Sequence, residues 1–552
     1  MEEEPQKQKI VAIHWFRNGL RIHDNPALCD ALENCDEFYP IFIFDGEVAG
    51  TKFSGFNRMR FMHESLEDLD NTFKKNGGRL YTFQGKARDV LEGLLHEWNV
   101  TRLTYEAEVE PIWETRDKEV EELCQEHGIQ LISRISHTLW NPSEVIEKNG
   151  GSPPVTYSHF ELTTALLGPP ERPVPVPNLT KVNKPVPDNF DQKFALPSVK
   201  DLGYEPECKE QMERINEWKG GETKALQLLE ERLKNERKPM TDKIMLPNQF
   251  LPDLVGPPTS MSPHLRFGCV SVRTFYWGIH DLYQEIHADK EVPVSLTGQL
   301  VWREYFYTMS VSNIHYDKMK ENPICLDIAW DEDAEKLEKW VMGKTGFPWI
   351  DAGMNQLRAE GWCHHVVRHA VSCFLTRGDL WINWVQGCQV FFKYQLDADW
   401  SVCAGNWMWM SSSAFEKVFQ CSTCFCPVGY GRRMDPKGEY VRRYVPVLKD
   451  MPIQYLFEPW KAPYFIQEKA NCIIGKDYPR PMLDHKQASM YCRSKMMEVH
   501  RRLASSSPIP HCAPSNSKEA NFFSWLPESE VLSLCNHTQH LWPENKSVGI
   551  RS

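Results

Sequence analysis

Five short apolar runs in the first 135 residues alternate with stretches of helical periodicity, a pattern that points to a parallel sheet wound with helices. The runs cover 10–16, 38–44, 79–83, 102–105 and 129–133. Between the second and third, Met62, Leu66, Leu69 and Phe73 recur at helical spacing and are followed by Gly77-Gly78, a helix with its stop signal. The turn after the first run, Arg17-Asn18-Gly19-Leu20-Arg21, carries a single glycine, whereas a dinucleotide fingerprint needs three to bring backbone amides onto a pyrophosphate. No dinucleotide is expected there.

From Pro169 to Pro187, seven of 19 residues are Pro, a density that forbids helix and favours extended chain. This linker gives an α/β domain over 1–135, an interdomain linker over 136–205, an all-helical domain over 206–505 and a C-terminal tail over 506–552. Gly220-Gly221-Glu222-Thr223 opens a helix with Ala225, Leu228, Leu229 and Leu233 on one stripe. The formal charge of −12 excludes a polybasic binder, so any phosphate must be met by a local basic groove. The longest uncharged run, 400–415, is 16 residues with Ser and Asn among them, too short and too polar for a membrane span. The charged start MEEEPQKQK has no apolar signal core, and 17 scattered Cys in 552 residues read as reduced thiols. Cytoplasm and nucleus are the expected compartments.

Nine of the 19 Trp fall between Trp330 and Trp409. Indoles bury large apolar areas and suit a core, with Trp381 and Trp384 at helical spacing; the density also permits a route for electrons. The run Gly361 to His369 has a helical pattern, with His365, Arg368 and His369 on one face. No metal is expected, because His365 and His369 lack an intervening Glu and a third ligand. Arg368 on a buried face needs an anion, which Asp397 or Asp399 supplies. In Pro258-Thr259-Ser260-Met261-Ser262-Pro263, hydroxyls precede a helical pattern, where they cap the helix or hold a phosphate. Cys421, Cys424 and Cys426 resemble half of a metal or redox site but read as free thiols, with no second pair nearby.

Several of these segments, in this order and spacing, resemble the cryptochrome/photolyase family. They are Trp15-Phe16-Arg17-Asn18-Gly19-Leu20-Arg21-Ile22-His23-Asp24-Asn25-Pro26, Trp302-Arg303-Glu304, Trp362 to His369, and Asp397-Ala398-Asp399-Trp400 through Asn406-Trp407-Met408-Trp409. The resemblance spans residues 10 to about 500 and implies an α/β parallel-sheet domain followed by an all-helical FAD-binding domain. It places Arg232, Ser260, Ser262 and Gln299 at the phosphates and sugar of FAD, and His365, Arg368, Asp397, Ala398, Asp399 and Cys403 around the ring. A fixed Arg368–Asp397 pair there would favour the negative charge that reduction creates. The implied electron route is Trp407, Trp384 and Trp330, with Trp381 as a fourth, outer member.

Cys403 discriminates within the family, because photolyases carry Asn and plant cryptochromes Asp where this chain has a thiol. A thiol is a poor proton donor beside a carboxyl, so a reduced flavin next to it keeps its negative charge. Cys at this place resembles the insect light-sensing cryptochromes. Phe522, Phe523 and Trp525 resemble the tail cluster that in that group fills the groove where a photolyase takes its DNA lesion. Here Ser524 intervenes and turns Trp525 by about 100° on a helix, so Phe522, Trp525 and Leu526 form one face for a groove.

The resemblance implies a circadian blue-light photoreceptor, not an enzyme, that photoreduces FAD, protonates His365 and releases its tail. The implied partners are timeless-like and period-like clock proteins and, in light, ubiquitin-ligase adaptors; neither membrane nor DNA is expected. Two alternatives stay open. One is a (6-4) DNA photolyase, which the pair His365 and His369 resembles, with Arg432-Arg433 and Arg442-Arg443 as a basic groove or an ordinary solvated loop. The other is a light-independent transcriptional repressor of the clock, which Asn at 403 and a long disordered tail would favour.

Overall fold

The computed structural model describes residues 9–46, 54–154, 156–213, 218–241, 252–256, 260–288, 294–415 and 426–505. The tail residues Phe522, Phe523, Ser524, Trp525 and Leu526 lie outside them, as do Pro258, Thr259, Cys421 and Cys424.

Five strands form: β1 (Val11–Phe16), β2 (Glu37–Phe44), β3 (Tyr81–Gln84), β4 (Arg102–Glu106) and β5 (Gln130–Arg134). They pair in parallel in the order β3-β2-β1-β4-β5. The intervening helices are α1 (Pro26–Leu32), α2 (Phe56–Lys75), α3 (Ala87–Glu97) and α4 (Glu114–Glu126). Central β1 is buried along its whole length, which is why VAIHWF has no polar alternation. Ile13 lies opposite Tyr39 and Leu103 and joins Ile41, Leu91, Val120 and Leu123 in one core. Each such aliphatic side chain contributes about 1.5–3 kcal/mol on burial. Asn25 caps α1 by accepting the Leu28 N–H, with Pro26 in the first turn. On α2, Met62, Leu66, Leu69 and Phe73 are all buried, and the chain turns away where Gly77 takes a φ of 74°.

Doubly wound sheets take ligands beyond the carboxyl ends of the strands, where the strand order reverses. Here the turn after β1 is filled by its own arginines. Arg17 donates to Asp117 (2.6 Å) and to the Glu106 carbonyl (2.6 Å), and Arg21 to the Glu106 carboxylate (2.7 Å).

The chain divides into two compact units. The first comprises Met1–Leu246, Pro257–Pro323 and Phe391–Gly405; the second comprises Pro247–Gly256, Ile324–Val390 and Asn406–Ser552. The first holds the sheet and the helices Glu222–Thr241, Ser262–Arg266, Val272–His287 and Val294–Ser310. The described part of the second is helical, with Pro348–Glu360, His365–Cys373 and His485–Ser505 among its helices. Two helices, Pro142–Lys148 and Tyr157–Leu167, precede the proline run. Among the described residues no helix is long and apolar enough to cross a membrane.

The structure departs from the sequence pattern at three places. Trp381 and Trp384 do not share a helix: Phe374–Gly378 forms a π-helical turn, Trp381 takes a φ of 52°, and the next helix begins at Trp384. The Gly361–His369 run is helical only from His365, because left-handed Gly361 (φ 77°) ends the Pro348–Glu360 helix and His364 caps the next. The basic pairs lie on the helices Gly429–Met434 and Glu439–Tyr444, not in a loop.

Candidate functional site

In the first unit, the segment from Asp397 to Cys403 rests on two buried arginines. Arg58 Nη2 donates to the Ala398 carbonyl (2.8 Å); Arg266 Nε donates to the same carbonyl (3.1 Å) and lies 3.1 Å from Asp399 Oδ1. Burial and the neighbouring charge of Arg266 bring the Arg58 guanidinium down to about 9. Asp397 accepts from Gln395 Nε2 (2.5 Å). Glu110 Oε1 takes both the backbone N–H (3.0 Å) and the hydroxyl (2.9 Å) of Ser401, fixing the first turn of the Trp400–Met410 helix. Cys403 is buried on that helix and donates its backbone N–H to the Asp399 carbonyl (2.9 Å). Trp407, four residues on, shares its face.

The other first-unit candidates are Ser260, Ser262, Arg232 and Gln299. The two serine hydroxyls stand 2.9 Å apart at the start of the Ser262–Arg266 helix. Arg232, on the Glu222–Thr241 helix, lies over the Phe275 ring and 3.5 Å from Glu236. Its side chain is 36% exposed, yet Nε is buried and has no hydrogen-bond partner among the described residues. Gln299 is exposed on the Val294–Ser310 helix. This donor set fits FAD. An arginine with an orphaned N–H and adjacent hydroxyls suit phosphate, and a segment backed by two buried cations suits a ring that gains negative charge.

In the second unit, His364 Nδ1 accepts the Val366 N–H (3.3 Å), and its ring lies 4.1 Å from that of His365. Arg368 Nε donates to the Cys363 carbonyl (2.7 Å), and its guanidinium sits over the Trp362 ring. Burial holds His365 well below the usual imidazole range, with His364, Arg368 and His369 adding to the effect. Burial likewise brings His369 to about 3. Both are neutral at pH 7.

The tryptophans of this unit are tightly seated. Trp407 is 2% exposed, with the Trp340 ring 6.2 Å away and nearly perpendicular. Trp384 is fully buried, and its indole N–H has no hydrogen-bond partner among the described residues. Trp330 and Trp381 lie 4.6 Å apart at 43°. Trp381, expected as the outer member, is instead buried with Ile328, Cys492 and Val499, and Trp330 is the half-buried one. The backbone at Trp381 is held by its indole N–H to the Ala329 carbonyl (2.9 Å) and its amide to the Thr376 carbonyl (2.8 Å). π-Helical turns of this kind recur at functional sites.

The basic pairs are engaged within the protein. Arg432 pairs with Glu458 (2.7 Å), Arg442 donates to the carbonyls of Lys437, Lys449 and Met451, and Arg443 donates to that of Val255. Among the described residues no group of three or more His, Cys, Asp or Glu is gathered as for a metal ion. Sequence reasoning misses Arg58, Arg266, Glu110, Trp340 and His364. Only His364 has a local signal, as the polar residue directly before an apolar helical period.

Residues 12–178 match a family described as DNA photolyase, and residues 295–498 one described as the FAD binding domain of DNA photolyase. Cryptochrome-1 of Aedes aegypti is 49% identical over 94% of this chain and 98% of its own length. Cryptochrome-1 of Sylvia borin is 46% identical, over 90% and 79%. A bacterial class III photolyase from Agrobacterium tumefaciens has the same fold, with a TM-score of 0.76 at 26% identity over 91% of this chain and 100% of that one. With its wound parallel sheet, its helical remainder and relatives this similar over nearly its whole length, the chain belongs to the cryptochrome/photolyase family and carries that family's FAD-binding domain.

Proposed function

We propose that this cryptochrome is a blue-light photoreceptor of the circadian clock, photoreducing FAD through its own tryptophans and turning over no substrate. One observation carries the reading: the Trp400–Met410 helix presents Cys403 and Trp407 on one face, so the helix that brings a thiol to the flavin also brings the electron donor. FAD held there would supply the absorption of blue light and the capacity to accept one electron.

Arg232, Ser260, Ser262 and Gln299 bind its phosphate and sugar side, while His365, Arg368, Asp397, Ala398, Asp399 and Cys403 border the ring. Trp407 gives the electron, Trp384 refills Trp407, and Trp330 and Trp381 receive the hole. Two rings 4.6 Å apart share that charge, and half-buried Trp330 is where a reductant in solution meets it. Arg58 and Arg266 favour the new negative charge, and Cys403 withholds a proton. His365, neutral before light, is drawn toward protonation, and its altered hydrogen bonding releases Phe522, Phe523 and Trp525. The freed surface then takes timeless-like and period-like clock proteins and ubiquitin-ligase adaptors, in cytoplasm and nucleus.

His365 and His369 on one helix favour a second reading, a (6-4) photolyase. Acid–base work on a lesion calls for an imidazole titrating near neutrality, and burial keeps both well below it.

The test is blue illumination in anaerobic buffer of the purified protein and of Trp407→Phe, with a (6-4) lesion duplex in a parallel sample. The oxidised flavin band should bleach in the parent chain, far more slowly in Trp407→Phe, and the lesion should survive. Normal kinetics in Trp407→Phe would remove the tryptophan route. Restored bases would make this a repair enzyme.

A further inference from the structure

At the outer end of the tryptophan route, the second unit carries a phenol and a carboxylate that the route as described does not use. Trp330 and Trp381 pack with Cys492, Met496 and Val499 of the His485–Ser505 helix. Tyr491, the residue before Cys492, is 42% exposed and donates its hydroxyl hydrogen to Asp331 Oδ2 (2.9 Å), with Oδ1 at 3.3 Å. Asp331 directly follows Trp330, and its backbone N–H donates to the Trp381 carbonyl (2.9 Å). The carboxylate that holds the phenol is therefore tied by its own backbone to both indoles. One step along the chain, a short aspartate side chain and one hydrogen bond separate the Trp330 Cα from the phenol oxygen, about 10 Å at most.

The photoreduction proposed above, on which this inference rests, leaves a positive hole on Trp330 and Trp381. A hole is held longer once the oxidised ring has shed a proton, and that needs a base within hydrogen-bond reach. Neither indole N–H meets one among the described residues. The Trp381 N–H is taken by the Ala329 carbonyl, a neutral amide oxygen, and the Trp330 N–H has no hydrogen-bond partner among the described residues. The Tyr491 hydroxyl, by contrast, already donates to a carboxylate. Lys495 Nζ lies 5.3 Å from the centre of the Tyr491 ring and opposes a positive charge there, which favours loss of the proton together with the electron. Tyr444 and Tyr478 also donate to carboxylates, but to Glu360 and Asp351 of the Pro348–Glu360 helix, not to the neighbour of a route tryptophan.

We propose that Tyr491 is the terminal electron donor of the route, reducing the Trp330–Trp381 pair as its phenolic proton passes to Asp331. One electron moves from the phenol to the tryptophan cation and restores a neutral indole. The O–H bond breaks along the existing hydrogen bond, and the proton ends on Asp331 Oδ2. Tyr491 becomes a neutral radical and Asp331 a neutral carboxylic acid, so charge balances. Return of the electron to Tyr491 then requires return of the proton, and the charge separation outlasts one that ends on an indole.

The FAD-loaded full chain is excited by a blue flash in anaerobic buffer and followed by transient absorbance, with a nitroso spin trap in a parallel sample and adducts mapped by mass spectrometry. The broad visible band of the tryptophan radical should decay as the sharp near-ultraviolet band of a tyrosyl radical rises, more slowly in deuterium oxide, and the adduct should fall on Tyr491. That mapping needs no variant to fold. Tyr491→Phe should lose the tyrosyl band while its tryptophan radical persists. Asp331→Asn keeps an acceptor oxygen but takes no proton, and should lose most of the same band. A tryptophan radical with no tyrosyl successor, adducts on other tyrosines in place of Tyr491, or a tyrosyl rise undiminished in Tyr491→Phe would overturn the proposal and leave the tryptophan route standing. Absence of any tryptophan radical in the parent chain would overturn both.

Discussion

Replacing Gly387 by alanine asks whether the seat of Trp407 sets the response to light. Gly387 lies within the Trp384–Tyr394 helix, where alanine is better than glycine by about 1 kcal/mol, so backbone preference alone forecasts a more stable protein. Packing forecasts the opposite. A Cβ at 387 would stand 2.3 Å from Trp407 Cη2, 2.5 Å from Cζ3 and 2.6 Å from Leu375 Cδ2, against about 3.5–4.0 Å for ordinary contact. The indole must move by about an ångström, and it has little room. Beside it stands Trp340, fully buried, with its own N–H tied to the Val371 carbonyl (3.0 Å). Overpacking of this kind costs about 1–3 kcal/mol, which leaves a net loss of roughly 0–2 kcal/mol after the helical gain. The displaced ring is the proposed first electron donor, so photoreduction should slow while dark flavin content holds. The assay is the rate at which the flavin's blue band bleaches under constant light, with a urea midpoint on the same samples. An unchanged bleaching rate together with a raised midpoint would refute the argument, since Trp407 would then not depend on the space at Gly387.

Arg266→Met strips Asp399 of its ion pair and the Ala398 carbonyl of a charged donor; a loss of about 3–5 kcal/mol and weaker flavin retention are expected from urea unfolding and flavin content. Cys403→Asp supplies a proton donor, so the absorbance spectrum of the illuminated state should change, and an identical spectrum would take Cys403 away from the ring. His264 is held at about 3 by burial and its Nδ1 has no hydrogen-bond partner among the described residues. As pH falls from 6.5 toward 3, the unfolded chain therefore binds a proton that the folded one refuses, and stability drops by up to about 1.4 kcal/mol per pH unit. His264→Phe keeps a ring against Phe61 and should flatten the fall in urea midpoint between about pH 7.5 and about pH 5.

The sheet is legible in the sequence because its signals are local. Every strand end falls within two residues of the apolar run that announces it, and the glycine stop after α2 needs no tertiary context. Trp381 shows where local reasoning fails. A spacing of three from Trp384 suggests a shared helix, but the π-helical turn before it throws Trp381 into a left-handed backbone, held by its packing on Trp330, Ile328, Cys492 and Val499 and by its hydrogen bonds to Ala329, Thr376 and Asp331. Strain of this sort costs on the order of 1–3 kcal/mol and has no signature in composition or period.

The site divides in the same way. Asp399, Cys403 and Trp407 stand in one short run and can be read together, whereas Arg58 reaches the Ala398 carbonyl across 340 residues of chain. Yet Arg58 and Arg266 decide what that run can do. A segment carrying Asp397, Asp399 and an inward carbonyl would by itself oppose further negative charge nearby; two arginines buried against it offset the two carboxylates. On the proposed reading, cations fixed in the fold would lessen the need for a proton at a reduced ring, and a thiol at 403 would suffice where a carboxyl would protonate it. The proposed chemistry at Cys403 would therefore depend on Arg58 of α2 as well as on the helix that carries the cysteine.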